Sequence, residues 1–268
     1  MQLFSTHISS VVKGALTLGG SQNFLGARWV RASLGLMPQR YKESFALWLL
    51  SLSPHYFYAR DRQAESRRNN DSRRLLVKDL LSDLLNPEMH VIDYGCGPGY
   101  MARAVAPLVA SVEAVDLSPG ALACARILNS APNIVYETVT DFGQRDLSAD
   151  MAYSFAVVQH LTDEQVRIAL SLLHRRLRSN GHLILHFARP DNGFKTASEW
   201  QQDRSIRGQL RLQLALHCFG RSYEEMERLL DETGFDVLEI GPLLGRTSGD
   251  HDIASEHWVK AAARPDSK

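Results

Sequence analysis

The 268-residue sequence is poor in cysteine and has no excess of charge of either sign. Its three cysteines, Cys96, Cys124 and Cys218, are far apart and include no Cys-x-x-Cys pair, so neither a disulfide framework nor a thiolate metal site is expected. Lysine and arginine together number 30, as do aspartate and glutamate, which makes the formal net charge zero. Because proteins that bind nucleic acid usually carry a basic surplus, we expect no nucleic-acid partner.

Long apolar runs are also absent. The densest one, residues 45–52, is far shorter than the roughly 20 residues that a membrane-spanning helix requires. Near the N-terminus Lys13 interrupts the apolar residues, and no clear signal-peptide cleavage site follows it. These features predict a chain without a membrane span that functions in the cytoplasm.

The composition that remains is ordinary for a globular protein, with 44% hydrophobic and 22% charged residues. Residues 1–88 have little strand character. Helices are predicted over 41–52 and over 62–85, where leucines recur at four-residue spacing until an Asn-Pro pair ends the pattern. We therefore predict an N-terminal helical cap, or lid, over residues 1–88.

From residue 89 onward, short apolar segments alternate with helical patterns. The predicted strands are residues 90–94, 112–116, 134–137, 151–158, 182–187, 235–240 and 256–262. Capping boxes at Thr162/Gln165 and Ser222/Glu225 mark the starts of two intervening helices. This alternation predicts an α/β fold with a doubly wound parallel sheet over residues 89–268. A helical lid insertion is expected at about 188–221, where the strand pattern is interrupted.

A glycine-rich loop, VIDYGCGPGY, follows the first predicted strand and leads into a helix. Gly95, Gly97 and Gly99 allow positive φ and close approach of a ligand, and the free amides of a helix N-terminus favour a nucleotide-like group; a simple turn is the alternative. A dinucleotide fingerprint would need glycine at position 100, where Tyr100 should obstruct helix–strand packing. Asp116 closes the second strand at the spacing expected of a ribose-binding acid, or else caps the next helix.

Five segments in order resemble the successive motifs of class I S-adenosylmethionine-dependent methyltransferases. They are VIDYGCGPGY, EAVDLSPGAL, TDF, DMAYSFAVVQHL and LRSNGHLILHF, within residues 89–187. Residues 222–262 are similar to the closing helix and hairpin of that family. The resemblance implies a seven-stranded, mostly parallel sheet in the order 3-2-1-4-5-7-6, with S-adenosylmethionine as the cofactor.

The resemblance also implies roles for individual residues at the cofactor site. The implied contacts are Asp93, Gly95, Gly97 and Gly99 at the methionine end, Asp116 at the ribose, Leu117, Asp141 and Phe142 at the adenine, and Phe155 beside the methionine. In the cap, the segment SPHYFYAR offers Tyr58 as an aromatic ring that closes over the cofactor, with packing of the cap as the alternative.

Methyl transfer requires alignment of the acceptor and, where the acceptor is protonated, a base. His160, just past the fourth strand, is the first candidate for a catalytic base, and His186, at the end of the fifth strand, is the second. Each has a structural role as its alternative. Acidic and histidine residues crowd positions 250–257, but ligands at such tight spacing seldom converge, and no metal is expected.

The sequence therefore predicts an enzyme that methylates an oxygen or nitrogen of a small-molecule acceptor. Methylation of a protein or RNA is one alternative, and a non-catalytic cofactor-binding or scaffold protein is another. A nicotinamide oxidoreductase is disfavoured by Tyr100. The segment SFAVVQHL lacks the Asn/Asp-Pro-Pro-Tyr motif of amide and base N-methyltransferases. The oligomeric state is left open, a homodimer included.

Overall fold

A single seven-stranded sheet forms the centre of the computed structural model, which describes residues 27–51, 61–144, 148–213, 217–243 and 257–265. The strands are β1 His90–Tyr94, β2 Ser111–Asp116, β3 Ile134–Thr138, β4 Ala149–Ser154, β5 Leu177–Phe187, β6 Phe235–Pro242 and β7 His257–Ala263. The α-helices are α1 Ala27–Leu36, α2 Gln39–Leu50, α3 Arg62–Leu76, α4 Tyr100–Val105, α5 Pro119–Leu128, α6 Val139–Phe142, α7 Asp163–Arg176, α8 Ala197–Gln202, α9 Ile206–Gln213 and α10 Tyr223–Glu232.

The strands lie in the order β3-β2-β1-β4-β5-β7-β6, as the resemblance implied. β1 to β5 pair in parallel, whereas β7 is antiparallel to both β5 and β6. The strand order reverses between β1 and β4, and ligands of doubly wound sheets bind at such a reversal, beyond the carboxyl ends of the strands. The predicted doubly wound, mostly parallel fold is confirmed.

Apolar side chains cover both faces of the sheet. Successive residues of a strand point to opposite faces, so Val91 packs in one buried cluster with Met101 of α4, while its neighbour Ile92 packs in another with Leu173 of α7. Full burial of each such side chain stabilises the fold by about 1.5–3 kcal/mol. The sheet therefore lies between two layers of helices.

The N-terminal helix predicted over 62–85 is continuous only to Leu76. The chain goes on as a π-helical turn, Val77–Leu81, and a 3-10 turn, Ser82–Leu84. The leucine spacing gave no indication of this change in helical form. Across the described ranges, no helix combines the length and the apolarity that crossing a bilayer would need.

The fourth strand is shorter than the segment predicted over 151–158. β4 ends at Ser154, Ala156 then has a φ of 59°, and Val158–His160 forms a 3-10 turn. The prediction was wrong at this end because Val158 is buried, which continues the apolar run after the backbone has left the sheet. This turn lies at the carboxyl edge, next to the reversal of strand order.

The fifth strand begins earlier than residue 182, where it was predicted to start. Leu177 pairs with Ala149 and His182 pairs with Met151, so the residues between them on β5 bulge out of the ladder. Gly181 allows the bulge, because a Cβ atom there would lie 2.8 Å from the carbonyl oxygen of Arg178. The preceding residue, Asn180, has a φ of 62° and belongs to the same bulge.

The N-terminal helices pack against helices α4 and α5 of the sheet domain. Leu34 of α1 and Leu50 of α2 share a buried cluster with Cys124 of α5. The hydroxyl of Tyr100, at the start of α4, lies 3.0 Å from the Ser66 Oγ of α3. Tyr100 was expected to obstruct helix–strand packing, but its ring is buried and its hydroxyl contacts α3 instead. Tyr100, which stands where the dinucleotide fingerprint has glycine, thus links the glycine loop to the N-terminal helices.

Candidate cofactor and acceptor site

The loop between β1 and α4 has three glycines in left-handed backbone conformations. The φ angles are 81° at Gly95, 50° at Gly97 and 83° at Gly99, which glycine adopts without steric cost. The N–H groups of Gly95 and Cys96 both donate to the carbonyl oxygen of Val115 in β2, at 2.7 and 3.0 Å. The loop is therefore attached to the end of the neighbouring strand.

Side chains from β3 and from the turn after β4 also require glycine in this loop. A Cβ atom added at Gly95 would lie 2.2 Å from Cγ2 of Val157, in the turn after β4. One added at Gly99 would lie 2.3 Å from the hydroxyl oxygen of Tyr136 in β3, and that hydroxyl donates to the carbonyl oxygen of Asn129. Sequence reasoning missed Val157 and Tyr136 because only the order of strands in the sheet makes them neighbours of the loop.

Asp93, in β1 just before the loop, has an almost fully buried carboxyl group. Burial raises the pKa of this carboxyl to about 7, while interactions with the Tyr153 hydroxyl and the Ala102 amide oppose the rise and the charge of Asp116 adds to it. Despite the nearby Tyr153, Oδ2 has no hydrogen bond of ordinary geometry among the described residues. A buried acceptor of this kind beside the glycine loop fits a polar or cationic group of a ligand.

Asp116 ends β2, and its half-buried carboxylate accepts two backbone hydrogen bonds. Oδ2 accepts from the N–H of Gly97 at 2.8 Å, and Oδ1 accepts from the N–H of Ser118 at 2.7 Å. Burial raises the pKa of this carboxyl, and the two amides oppose the rise. Because each carboxylate oxygen has two acceptor positions, the group can still accept from hydroxyl donors, as a ribose-binding acid must.

The three residues predicted at the adenine differ in exposure. Leu117 is 70% exposed, and Asp141 is exposed with its Oδ2 accepting from the Thr138 hydroxyl at 2.8 Å. The ring of Phe142 is fully buried instead, with the Arg176 guanidinium 4.1 Å from its centroid. The Phe142 ring therefore fills space in the core beneath that guanidinium, and its place beside the adenine stays a prediction.

A cleft of ≈ 590 Å³ opens beside Asp141, one of the residues predicted to contact the adenine. Thr138 and Asp141 line it near β3, Arg126 lines it from α5, and Arg31 lines it from α1. It shares Asp141 with the predicted cofactor contacts but includes neither the glycine loop nor Asp116. It is therefore an adjoining space rather than the predicted cofactor site itself.

His160 lies in the 3-10 turn after β4, at the carboxyl edge of the sheet. Its Nδ1 lies 2.9 Å from the carbonyl oxygen of His217 and 3.7 Å from the Sγ of Cys218, near the end of the 188–221 segment. A carbonyl oxygen accepts and does not donate, so Nδ1 carries a proton and the lone pair of the neutral ring is on Nε2. These two contacts connect the segment 188–221 to His160, the candidate base.

His186, the second histidine predicted as catalytic, is fully buried in β5. Its Nδ1 accepts from the N–H of Ala156 at 3.0 Å, and the φ of 59° at Ala156 is uncommon for a residue other than glycine. Phe155, predicted beside the methionine, stacks on the His186 ring with centroids 6.2 Å apart. These contacts support the turn after β4, and a catalytic role for His186 stays a prediction.

The predicted methionine-end and ribose residues thus meet at one edge of the sheet, where β1 and β2 end and the turn after β4 approaches them. Tyr58 belongs to the segment 52–60, which lies outside the described residues, as do residues 250–256 of the acidic and histidine cluster. Sequence reasoning also missed Asn129, whose Nδ2 donates to the carbonyl oxygen of Pro98 at 2.8 Å and supports the loop from α5.

Comparison with known proteins identifies related sequences. The family profile described as "Methyltransferase domain" matches residues 59–240, more than half of the chain. Malonyl-[acyl-carrier protein] O-methyltransferase of Serratia marcescens is 27% identical over 159 residues, 58% of this chain and 62% of that protein. Ribosomal protein L11 methyltransferase of Thiobacillus denitrificans is 38% identical over 113 residues, 42% of this chain and 36% of that protein. The matches thus span less than two thirds of either relative's length.

The fold has a counterpart among solved structures. Magnesium protoporphyrin IX methyltransferase from Synechocystis PCC 6803, crystallised with bound SAH, superposes with a TM-score of 0.51 at 18% identity. The superposition covers 84% of this chain and 97% of that one. At this level of identity the similarity shows a shared fold.

The surroundings of three glycines predict how much stability each loses when it is replaced by alanine. Gly95→Ala combines a strained positive φ with the collision against Val157, so we expect it to lower the free energy of unfolding by more than about 2 kcal/mol. Gly193→Ala, with φ +80° and open space, should cost about 1 kcal/mol, and Gly241→Ala, with neither feature, should be neutral. Urea unfolding measures all three. Equal losses for Gly95→Ala and Gly193→Ala would show that the collision is absent.

The raised pKa of Asp93 predicts how the free energy of unfolding depends on pH. Because its folded pKa of about 7 lies above its unfolded value, the native state binds a proton that the unfolded chain has already released. The free energy of unfolding should therefore fall as pH rises from about 4 to 7, by on the order of 3 kcal/mol. Asp93→Asn should flatten this fall in urea titrations, whereas the exposed control Asp83→Asn should not. Parallel pH curves for Asp93→Asn and the native chain would contradict the assignment.

Proposed function

The chain belongs to the methyltransferase family, and on that premise we propose that it transfers a methyl group to an oxygen or nitrogen of a small-molecule acceptor. S-adenosylmethionine is its cofactor. The observation that carries the proposal is the group formed by Asp93, the glycine loop and Asp116 at the carboxyl edge. These residues offer hydrogen-bond acceptors on both sides of a loop in which Val157 and Tyr136 leave no space for side chains at two of its glycines.

The residues present fit this cofactor. We assign Asp93 to its methionine end, the glycine loop to the backbone contact, and Asp116 to the ribose hydroxyls. Leu117 and Asp141, both exposed, are assigned to the adenine. When bound, the cofactor supplies a methyl group on a positively charged sulfur, which a nucleophilic acceptor atom attacks directly. The protein's task is then to align the acceptor and to remove its proton.

His160 is proposed as the base that removes this proton. Its position after β4 supports the role, because β4 adjoins β1 at the reversal of strand order. The carbonyl oxygen of His217 holds the proton on Nδ1, so Nε2 is the basic atom in the neutral ring. We further propose that the segment 188–221, which makes this contact, is the lid over the acceptor, and that the helices before β1 form the cap.

Methylation of a protein is the second candidate function. It is favoured by the similarity to ribosomal protein L11 methyltransferase, whose name describes a protein acceptor. The similarity to malonyl-[acyl-carrier protein] O-methyltransferase favours transfer to oxygen. A cleft of ≈ 410 Å³ within residues 193–218 has the volume of a small-molecule site, and for that reason we place the small acceptor first.

Binding of the cofactor tests the core of the proposal. We expect saturable binding of S-adenosylmethionine in isothermal calorimetry, with affinity reduced at least about tenfold in Asp116→Ala because the ribose hydroxyls lose their acceptor. Asp116→Asn keeps one side-chain oxygen that can accept from a backbone amide. We therefore expect this variant to fold as the native chain does. The exposed control Asp83→Asn should bind normally. Heat on addition of NAD, and none with S-adenosylmethionine, would refute the proposal.

Turnover tests the role of His160. His160→Gln removes the base, so we expect methyl transfer to fall by about a hundredfold or more while cofactor affinity stays nearly unchanged. His90→Gln, at the opposite edge of the sheet, is the matched control and should keep full turnover. The measurement is incorporation of label from radiolabelled cofactor into fractions of a metabolite extract. If the labelled fraction forms at the native rate in His160→Gln, the histidine has no part in proton transfer.

A further inference from the structure

The segment 188–221 carries a basic surplus that the neutral total conceals. It contains six arginine or lysine residues and three acidic ones.

Each of the three acidic residues interacts with a neighbour: Asp191 with Arg189 at 3.3 Å, Glu199 with Thr196 at 2.7 Å, and Asp203 with Lys195 at 2.6 Å. Arg221 pairs with Asp163 of α7. Within the described part of the chain, no carboxylate forms an ion pair with Arg204, Arg207 or Arg211.

Two of these arginines line the ≈ 410 Å³ cleft within the same segment. Arg207 and Arg211 are four residues apart in α9 and therefore share one helix face, and Phe194 and Trp200 line the cleft with them. Like charges at this spacing repel each other and destabilise a helix. A bound anion would remove this repulsion, so the pair is better suited to a ligand than to stability.

The cleft has a supporting structure of its own. Asp203 lies against Gly208 in α9, where a Cβ atom would be 2.2 Å from its Oδ2, and its Oδ1 accepts from the N–H of Ser205 at 2.9 Å. The Lys195 ammonium holds the pKa of Asp203 below its usual range, so this carboxylate stays ionised and neutralises that lysine. The charge left for a ligand is on the two guanidinium groups.

Cys218 connects the cleft to the candidate base. It lines the cleft, and its Sγ lies 3.7 Å from the Nδ1 of His160. Its carbonyl oxygen accepts from the Trp200 Nε1 at 2.8 Å, which fixes the segment between the cleft and the turn after β4. The wall of the cleft is therefore also the neighbour of His160.

We propose that the methyl acceptor carries an oxyanion group, a carboxylate or a phosphate, which Arg207 and Arg211 bind in this cleft. The inference rests on the proposed function. Guanidinium groups bind oxyanions through charge-assisted hydrogen bonds, and Phe194 provides apolar contact for the rest of the molecule. The acceptor class is thus a small anionic molecule with an apolar body.

Ligand-observed NMR titration of the full chain, saturated with S-adenosylhomocysteine, tests this inference with three probes. They are 4-hydroxybenzoate, phenyl phosphate and the neutral methyl ester of 4-hydroxybenzoate. We expect at least one anion to bind about tenfold more tightly than the ester, and the better anion identifies the group. The double variant Arg207→Gln/Arg211→Gln should lose this preference, and Arg175→Gln, an exposed arginine on α7, should retain it.

Three results would overturn the inference: equal binding of acid and ester, a preference that survives in the double variant, or no binding of any probe at millimolar concentration. Calorimetry with S-adenosylmethionine on the same proteins separates the two proposals. Normal cofactor binding without an anion preference refutes only the acceptor class. An anion preference without cofactor binding refutes the methyltransferase function and leaves an anion-binding cleft.

Discussion

The candidate site depends on the hydrogen bond between the carboxylate of Asp116 and the N–H of Gly97, at 2.8 Å. It joins the end of β2 to the loop that follows β1, and the same carboxylate accepts from Ser118 at the start of α5. One side chain therefore sets the position of the loop relative to the next helix, and it retains acceptor capacity toward a ligand. The amide of Gly97 has a partner even though its residue is in a left-handed conformation.

A second set of contacts approaches the same loop from the other side of the strand reversal. His186 in β5 accepts from the N–H of Ala156, which holds the turn after β4 in an uncommon conformation, and that turn places Val157 against Gly95. The ends of β1, β2, β4 and β5 are thus coupled through short contacts. Strain of this kind persists only where surrounding structure enforces it, and it is common at functional sites.

The proposed acceptor side differs in charge from the rest of the candidate site. Asp93 and Asp116, which are proposed to contact the cofactor, are acidic. Residues 188–221 carry instead a basic surplus, and this segment contacts the candidate site through Cys218 and His160. Neutrality of the whole chain therefore conceals two local regions of opposite sign. Net charge predicts behaviour toward large polyanions and gives no information about a cleft lined by two arginines.

The sequence by itself determined the fold class, the strand order through the ordered motifs, and the location of the glycine loop. Local patterns suffice for the fold class and the loop, because side-chain periodicity and glycine spacing are properties of adjacent residues. The strand order followed instead from the resemblance of the ordered motifs to a known family. Only the tertiary structure decided that Phe142 turns into the core, that His186 supports a turn, and that β4 ends at Ser154. It also decided why Gly95 must be glycine, since Val157 reaches it only once β1 and β4 pair. Contacts between residues distant in sequence arise when strands pair and side chains compete for buried space, and one sequence records no such competition.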